Sequence, residues 1–361
     1  MNSYRKICLA SVFIILISAC THVGPKYLER DRFDYTAAVG DSWKEQILLN
    51  VVRIRYGDWP TFVSIEQIIT GYQVEHTGSA RLTDRDVDAP TGSYFQPELG
   101  YIGKFIEKPT VLYKPMSGDQ FTKTLMTAVN PSVILAMIET GWPADNLSRI
   151  SLRSVNGAFN TLSTYGSLYR PDINFTRFIG LLRSFQLANA IRVRVSQKEG
   201  EQRVTDLTFF PQLVSVELQE QYRNLQSALK LSDSTNTYRL ARDSHSRQPD
   251  EISLRGRSIL EIFTILASGV KVPESHKRSG ITAQQVPVPK IRRSNSSLFF
   301  TVESGPVKPR SANVAVEYLD TWFWIEHSDH YSKRVIAYAQ MIMSLLDNKQ
   351  DAGGNVVIPI D

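Results

Sequence analysis

Both cysteines of this 361-residue chain fall within its first twenty positions, at Cys8 and Cys20. Everything beyond them has to fold without a disulfide and without a cysteine-ligated metal. The surrounding residues say where such a chain is sent. Arg5 and Lys6 precede an apolar run from Ile7 to Ile17, and Ser18-Ala19-Cys20 closes it. A basic start, a run of about 7–15 apolar residues and a small-residue stop make a secretory signal. The run is too short to span a bilayer, which takes roughly 20 residues.

The tetrad Ile17-Ser18-Ala19-Cys20 resembles a bacterial lipobox. The resemblance implies a covalent lipid on Cys20 (a diacylglycerol thioether, with a palmitate-type acyl chain on the new amine) and removal of 1–19 as a signal peptide. Ile17 stands where such motifs most often have Leu. Thr21, not Asp, follows the cysteine, which for this class in Gram-negative bacteria implies the outer membrane, periplasmic face. Three acyl chains exceed what stable anchoring needs. Cys8 leaves with the signal, so no free thiol enters an oxidising compartment.

Apolar residues make up 42% of the chain, enough for a substantial core, and the formal charge of +5 falls to +3 once Arg5 and Lys6 depart. So small an excess gives no footing for nucleic acid. The charge is concentrated: Lys271 to Arg310 holds eight cations against Glu274 and Glu303, with five prolines. That composition reads as an exposed basic loop at 271–310, with Arg292 and Arg293 as candidate contacts for an anionic surface.

The organisation expected is a polar membrane-proximal tether over 20–41, an N-terminal α+β region over 42–170 and a C-terminal α+β region over 171–361. Ser42 reads as the cap of a helix ending at Gly57-Asp58-Trp59-Pro60. "TFVSIEQIIT" suits strand or helix, 81–92 reads as acidic turn, and "YIGKFIEKPTVLYKP" reads as two strands broken near Pro109. Helices are expected after Ser117, from Pro131 to Gly141 and after Asp172. "LSRISLRSVNG" alternates like a strand, and "AIRVRVS" is another. "SILEIFTILASG" is a buried helix. "LFFTVES", "NVAVEYLD" and "TWFWIEH" suggest a three-stranded meander followed by a helix capped by Ser328 or Asp329. The fold class is α+β, with mainly antiparallel sheets and packed helices.

Four stretches, "SWKEQILLNVVRIRYGDWPTFV", "FTKTLMTAVNPSVILAMIETGWP" with "LRSVNG" after it, "GRSILEIFTILASGVKVPESH" and "NVAVEYLDTWFWIEHSDHYSKRV", resemble a family of uncharacterised proteobacterial lipoproteins. The resemblance implies the envelope address and supplies no catalytic residues.

No catalytic constellation stands out. Glu326-His327-Ser328-Asp329-His330 is the one histidine cluster, a weak metal candidate through His327, Asp329 and His330, but it sits where a helix needs caps. Ser227-Ala-Leu-Lys230 matches S-x-x-K without its companion motifs, and no G-x-S-x-G, P-loop or G-x-G-x-x-G is present. Trp322 and Trp324 share one side of a strand, either as a face packed on a helix or as a stacking platform for a sugar. The expectation is a non-catalytic scaffold or accessory subunit of a cell-envelope assembly. It has no cofactor beyond the lipid, and its partners are the outer membrane and an envelope protein. The alternatives are an envelope enzyme acting on cell-wall or glycan material, and a sugar- or lipid-binding module.

Overall fold

A computed structural model describes residues 24–85, 94–164, 167–169, 171–196, 204–241, 248–282 and 300–347. Its first element is a single 33-residue helix, α1 (Gly24–Tyr56). The expected tether is thus helical from Gly24, and Ser42 lies inside the helix. Lys, Glu and Arg are good helix formers, and propagation is cheap once a nucleus exists. The C-terminal half carries the core, where Ile47, Leu48, Val51 and Val52 are fully buried. The helix stops as the sequence suggests. Gly57 takes φ +89°, and Asp58 N–H reaches back to the Arg53 carbonyl at 2.9 Å.

The chain divides into two compact units, Met1–Pro60 with Lys123–Asp361, and Thr61–Thr122. In sequence the smaller unit is an insertion within the larger. Its described residues hold four strands, β1 (Val63–Ile69), β2 (Tyr72–Arg85), β3 (Tyr94–Glu107) and β4 (Thr110–Pro115), and the helical turn expected after Ser117, at Gly118–Phe121. β1 pairs antiparallel with β4, with an irregularity between Ile65 and Gln67. β2 pairs with β3 in unbroken antiparallel register from Tyr72↔Glu107 to Arg85↔Tyr94. The Lys108 N–H donates to the Gly71 carbonyl at 2.9 Å, linking the two ribbons into one long hairpin. The break at Pro109 is where it was expected. Residues 81–85, read as turn, belong to β2, while 86–92 lie outside the described residues.

In the larger unit, α2 (Pro131–Glu139) starts at an Asn130 cap with Pro at the first position. α3 (Ala144–Ser151) follows, then β5 (Leu152–Val155). The stretch "LSRIS" is therefore helical. Leu147, Ser148, Ile150 and Ser151 are all buried, a helical spacing that overlaps with strand-like alternation over so few residues. Only "LRSV" is strand. β6 (Ala158–Phe159) and β13 (Leu254–Gly256) flank β5. A small hairpin, β7 (Leu162–Thr164) with β8 (Ser167–Tyr169), precedes α4 (Ile173–Leu187), which Asp172 caps as expected.

A four-stranded sheet of order β12-β11-β10-β9 follows. It holds β9 (Ile191–Ser196), β10 (Val204–Phe209), β11 (Thr237–Leu240) and β12 (Glu251–Ile252), with α5 (Val216–Ala228) between β10 and β11. One parallel pairing, β11 with β12, occurs in it. Phe185, Phe209 and Tyr222 meet at ring separations of 5.1–5.4 Å, and burial raises the Tyr222 phenol far above its usual range. α6 (Ile259–Ala267) is the buried helix expected, started by a full Ser258/Glu261 capping box. A short α7 (Glu274–Arg278) follows.

The basic stretch is anchored at both ends. Val270 and Val302 form a parallel bridge, and Val270, Val272, Phe300 and Val302 are core residues. Residues 283–299 lie outside the described set. The last sheet holds β14 (Glu303–Gly305), β15 (Ala312–Tyr318) and β16 (Thr321–Glu326) before α8 (His330–Asp347). All its pairings are antiparallel, but the order is β14-β16-β15. The last strand enters between the other two, so the chain does not run as a simple meander. The protein is α+β with mainly antiparallel sheets.

Candidate functional site

β16 is central in its sheet and alternates cleanly. Thr321, Phe323 and Ile325 are buried, while Trp322, Trp324 and Glu326 are half-buried. The buried face meets α1, where Phe323 and Tyr56 make an edge-to-face contact at 6.0 Å. Trp322 and Trp324 thus lie on the side away from that helix. Both indoles are held. Trp324 Nε1 donates to Glu326 Oε1 at 2.6 Å, and Ser311 Oγ donates to the other carboxylate oxygen at 2.9 Å. Gly305 makes room for the ring, since a Cβ there would stand 3.1 Å from its Cη2. Lys308 Nζ sits 5.2 Å from the Trp322 ring centre, a cation–π contact.

The histidine cluster is a helix start. Asp329 Oδ1 accepts the N–H groups of Tyr331 and Ser332 at 3.1 and 3.0 Å, and Oδ2 accepts Ser332 Oγ at 2.6 Å. Its lone pairs are committed to capping α8. Among the described residues no group of three or more His, Cys, Asp or Glu is placed to hold a metal. His330 instead joins Lys44, Asn313, Lys333 and Arg334 around a shallow groove of about 320 Å³. Ser227 is in the last turn of α5, and Lys230 follows in a left-handed conformation, φ +54°. That placement ends the helix. Cys20, Arg292 and Arg293 lie outside the described residues.

A second feature was not anticipated. A cleft of about 760 Å³ opens between the segment Met126–Pro131, β13 and the start of α6, a volume in the range of ligand sites. Its frame rests on Arg257, which is 1% exposed. The guanidinium donates to the carbonyls of Arg149 (2.8 Å), Ile150 (3.1 Å) and Thr161. The first two belong to the last turn of α3, whose carbonyls have no partner within the helix, and a cation there also complements the helix dipole. Burial pushes Arg257 down to about 10, with Glu261 opposing and Arg153 adding to the fall. On the cleft wall Arg153 Nη1 donates to Glu261 Oε1 at 2.8 Å, while Glu261 Oε2 accepts the Ser258 N–H at 3.0 Å. Arg153 Nε is buried without a hydrogen-bond partner, and Arg255 is exposed.

Three arginines against one glutamate give the cleft a net positive charge, and Met126, Leu260 and Ile265 supply an apolar side. Such a wall receives an anionic group next to an apolar one. The Ser258 hydroxyl accepts the Glu261 N–H as a helix cap, so it is held in a structural role. The one sequence signal for this place was Ser258-x-x-Glu261 before an apolar run, which marks a helix start and says nothing of a cleft. No protein-family model, no curated protein and no solved structure matches this chain.

Proposed function

We propose that the chain is a lipid-anchored outer-membrane protein facing the periplasm, and that it acts as a non-catalytic scaffold or accessory subunit in a cell-envelope assembly. The observation that carries this reading is the lipobox Ile17-Ser18-Ala19-Cys20 behind a basic, apolar leader. The arrangement of the larger unit supports the second half. Its polar clusters serve as caps and ties for the fold, as at Asp329, Arg257 and Glu261, and its open features are surfaces. An acidic segment of a partner suits the cleft, with Arg153 and Arg255 as donors and Met126 and Leu260 as apolar contact.

The experiment is a quantitative pull-down from detergent-solubilised envelopes with the native chain and with Arg255→Glu. A protein recovered with the native chain and reduced at least tenfold with the variant supports the reading. Equal recovery removes the cleft from it, and recovery of no envelope protein with either removes the scaffold role.

A second reading is favoured by one observation, the pair of held, half-exposed indoles at Trp322 and Trp324. Rings on a sheet, flanked by Lys308 and Glu326, suit stacking on a sugar. Sedimentation with insoluble cell-wall glycan tests it: binding lost in Trp324→Ala supports this reading, and no binding by the native chain refutes it.

A further inference from the structure

A groove crosses the larger unit where α1, β15 and α8 meet. It consists of two adjoining hollows of about 360 and 320 Å³ that share Lys44 and Asn313. The first lies between Asp41, Lys44 and Glu45 of α1 and residues of the stretch 308–315. The second runs on to His330, Lys333 and Arg334 at the start of α8. A bulge in β15 shapes the junction. Ala312 pairs with Glu326 and Val314 with Ile325, so Asn313 is an extra residue with no partner across the sheet. A bulge takes its side chain out of the regular alternation, and Asn313 borders both hollows. Among the described residues its amide has no hydrogen-bond partner. Ala312, Ala315 and Ala337 line the groove with short side chains, which leave room for a main chain to lie close.

The lining carries Lys44, Lys308, Arg310, Lys333 and Arg334 against Asp41 and Glu45, a net charge of +3 with His330 neutral. Of the five cations, Lys44 alone has an acidic partner among the described residues, Asp41 at 2.8 Å. Lys308 stands over the Trp322 ring, and Lys333 donates to the His327 carbonyl at 3.1 Å. The nearby carboxylates are committed elsewhere: Glu326 to Trp324 and Ser311, and Asp329 to the α8 cap. The fold thus gathers cations from three segments far apart in sequence and leaves most of them without an internal acid. Lys308 and Arg310 end the basic stretch read from the sequence, so that part of it belongs to a built surface.

Three features choose the occupant. The net charge calls for an anion. Neither hollow is lined by an aromatic residue, so a sugar ring has nothing to stack on there. The surface is concave, which an extended chain can follow and a flat bilayer cannot. A peptide with carboxylates spaced along it meets all three conditions. Its acidic side chains reach the cations at both ends in charge-assisted bonds, and a peptide group pairs with the Asn313 amide, which both donates and accepts.

We propose that this groove is a docking site for an extended acidic segment of a partner protein. It shares no residue with the cleft beside β13, so the chain can hold two acidic segments at once. For the partner's place in the envelope the inference rests on the scaffold reading.

The test uses the purified acylated chain in detergent. The probe is a fluorescein-labelled peptide of alternating glutamate and alanine with a benzophenone at its centre. Fluorescence anisotropy reads binding, and mass spectrometry of the photo-crosslinked chain reads its place. The expected crosslinks fall on 41–45, 308–315 and 330–337. Raising salt should weaken binding, because exposed charges are screened over about 8 Å at physiological ionic strength. Arg310→Glu combined with Arg334→Glu should cut these crosslinks at least tenfold. Both positions are exposed, so the fold is kept, which circular dichroism checks. Arg239→Glu, at an exposed position of β11, should leave them as they are. Crosslinks at these segments that are absent from the native chain, or unchanged in the double variant, overturn the proposal. So does equal binding of a peptide of glutamine and alanine. Displacement of the probe by glycerol phosphate at the probe's own concentration overturns it too, and makes the groove a phosphate site. The scaffold reading is judged by the envelope pull-down, so either can fail alone.

Discussion

Gly256 is where the backbone of β13 lies against the segment before α2, and adding one methyl there should be costly. A Cβ at Gly256 would lie 1.9 Å from the Val129 carbonyl oxygen. Ordinary carbon–oxygen contacts start near 3 Å, so in Gly256→Ala the main chain at Val129 has to retreat by about 1 Å. That retreat carries away the hydrogen bond from Val129 N–H to the Arg257 carbonyl, 2.8 Å in the native protein, and the neighbouring Ala128↔Ser258 bridge. Overpacking costs about 1–3 kcal/mol and a lost hydrogen bond about 0.5–1.5 kcal/mol. The expected loss is about 2–4 kcal/mol, a large part of a typical stability of about 5–15 kcal/mol. Urea unfolding followed by tryptophan fluorescence measures it, because Trp43, Trp59, Trp142, Trp322 and Trp324 all belong to the larger unit. Gly180→Ala is the matched control. Gly180 is inside α4 with nothing within 4 Å of its added Cβ, and the exchange should stabilise by about 0.5–1 kcal/mol. If Gly256→Ala unfolds at the native urea midpoint with the native slope, the close approach is not part of the folded state.

Arg257→Met should cost about 3 kcal/mol or more in the same assay, since the carbonyls of Arg149, Ile150 and Thr161 lose their charged donor inside the protein. A near-neutral result would mean those carbonyls find water. Asp329→Ala should destabilise by about 0.5–2 kcal/mol through loss of the α8 cap. His330→Ala should leave stability within about 0.5 kcal/mol, with metal content by mass spectrometry equal to that of the native protein. Stoichiometric zinc lost with His330 would contradict the capping role.

Much of the fold was legible where a local rule and the tertiary structure agree. Asp172 before an apolar helix, Asn130-Pro131, the Ser258/Glu261 box and the stop at Gly57 each satisfy backbone groups within a few residues, so they are visible in the sequence. Misreadings arose where the deciding contact is distant. "LSRIS" reads as alternating, yet α3 forms because its C-terminal carbonyls find Arg257, more than a hundred residues on. The order β14-β16-β15 depends on which edge of β14 the last strand joins, and no local signal encodes that. The helix start was placed at Ser42 because the residues before it are polar, although polar residues sustain a helix once a buried stretch such as Ile47–Val52 nucleates it. The cleft was invisible for the same reason as α3: Arg153, Arg255 and Glu261 are brought together by pairing of β5 with β13.

The claim on which the functional account turns is the anchor at Cys20. Intact mass and N-terminal peptide mass should be measured on the native chain recovered from separated inner and outer membranes, alongside Cys20→Ser. The account predicts a mature chain that begins at Cys20, carries a diacylglycerol and an amide-linked acyl chain, and is found in the outer-membrane fraction, with the serine variant unprocessed and unacylated. A mature chain that begins elsewhere, or that carries no lipid mass at Cys20, would contradict it.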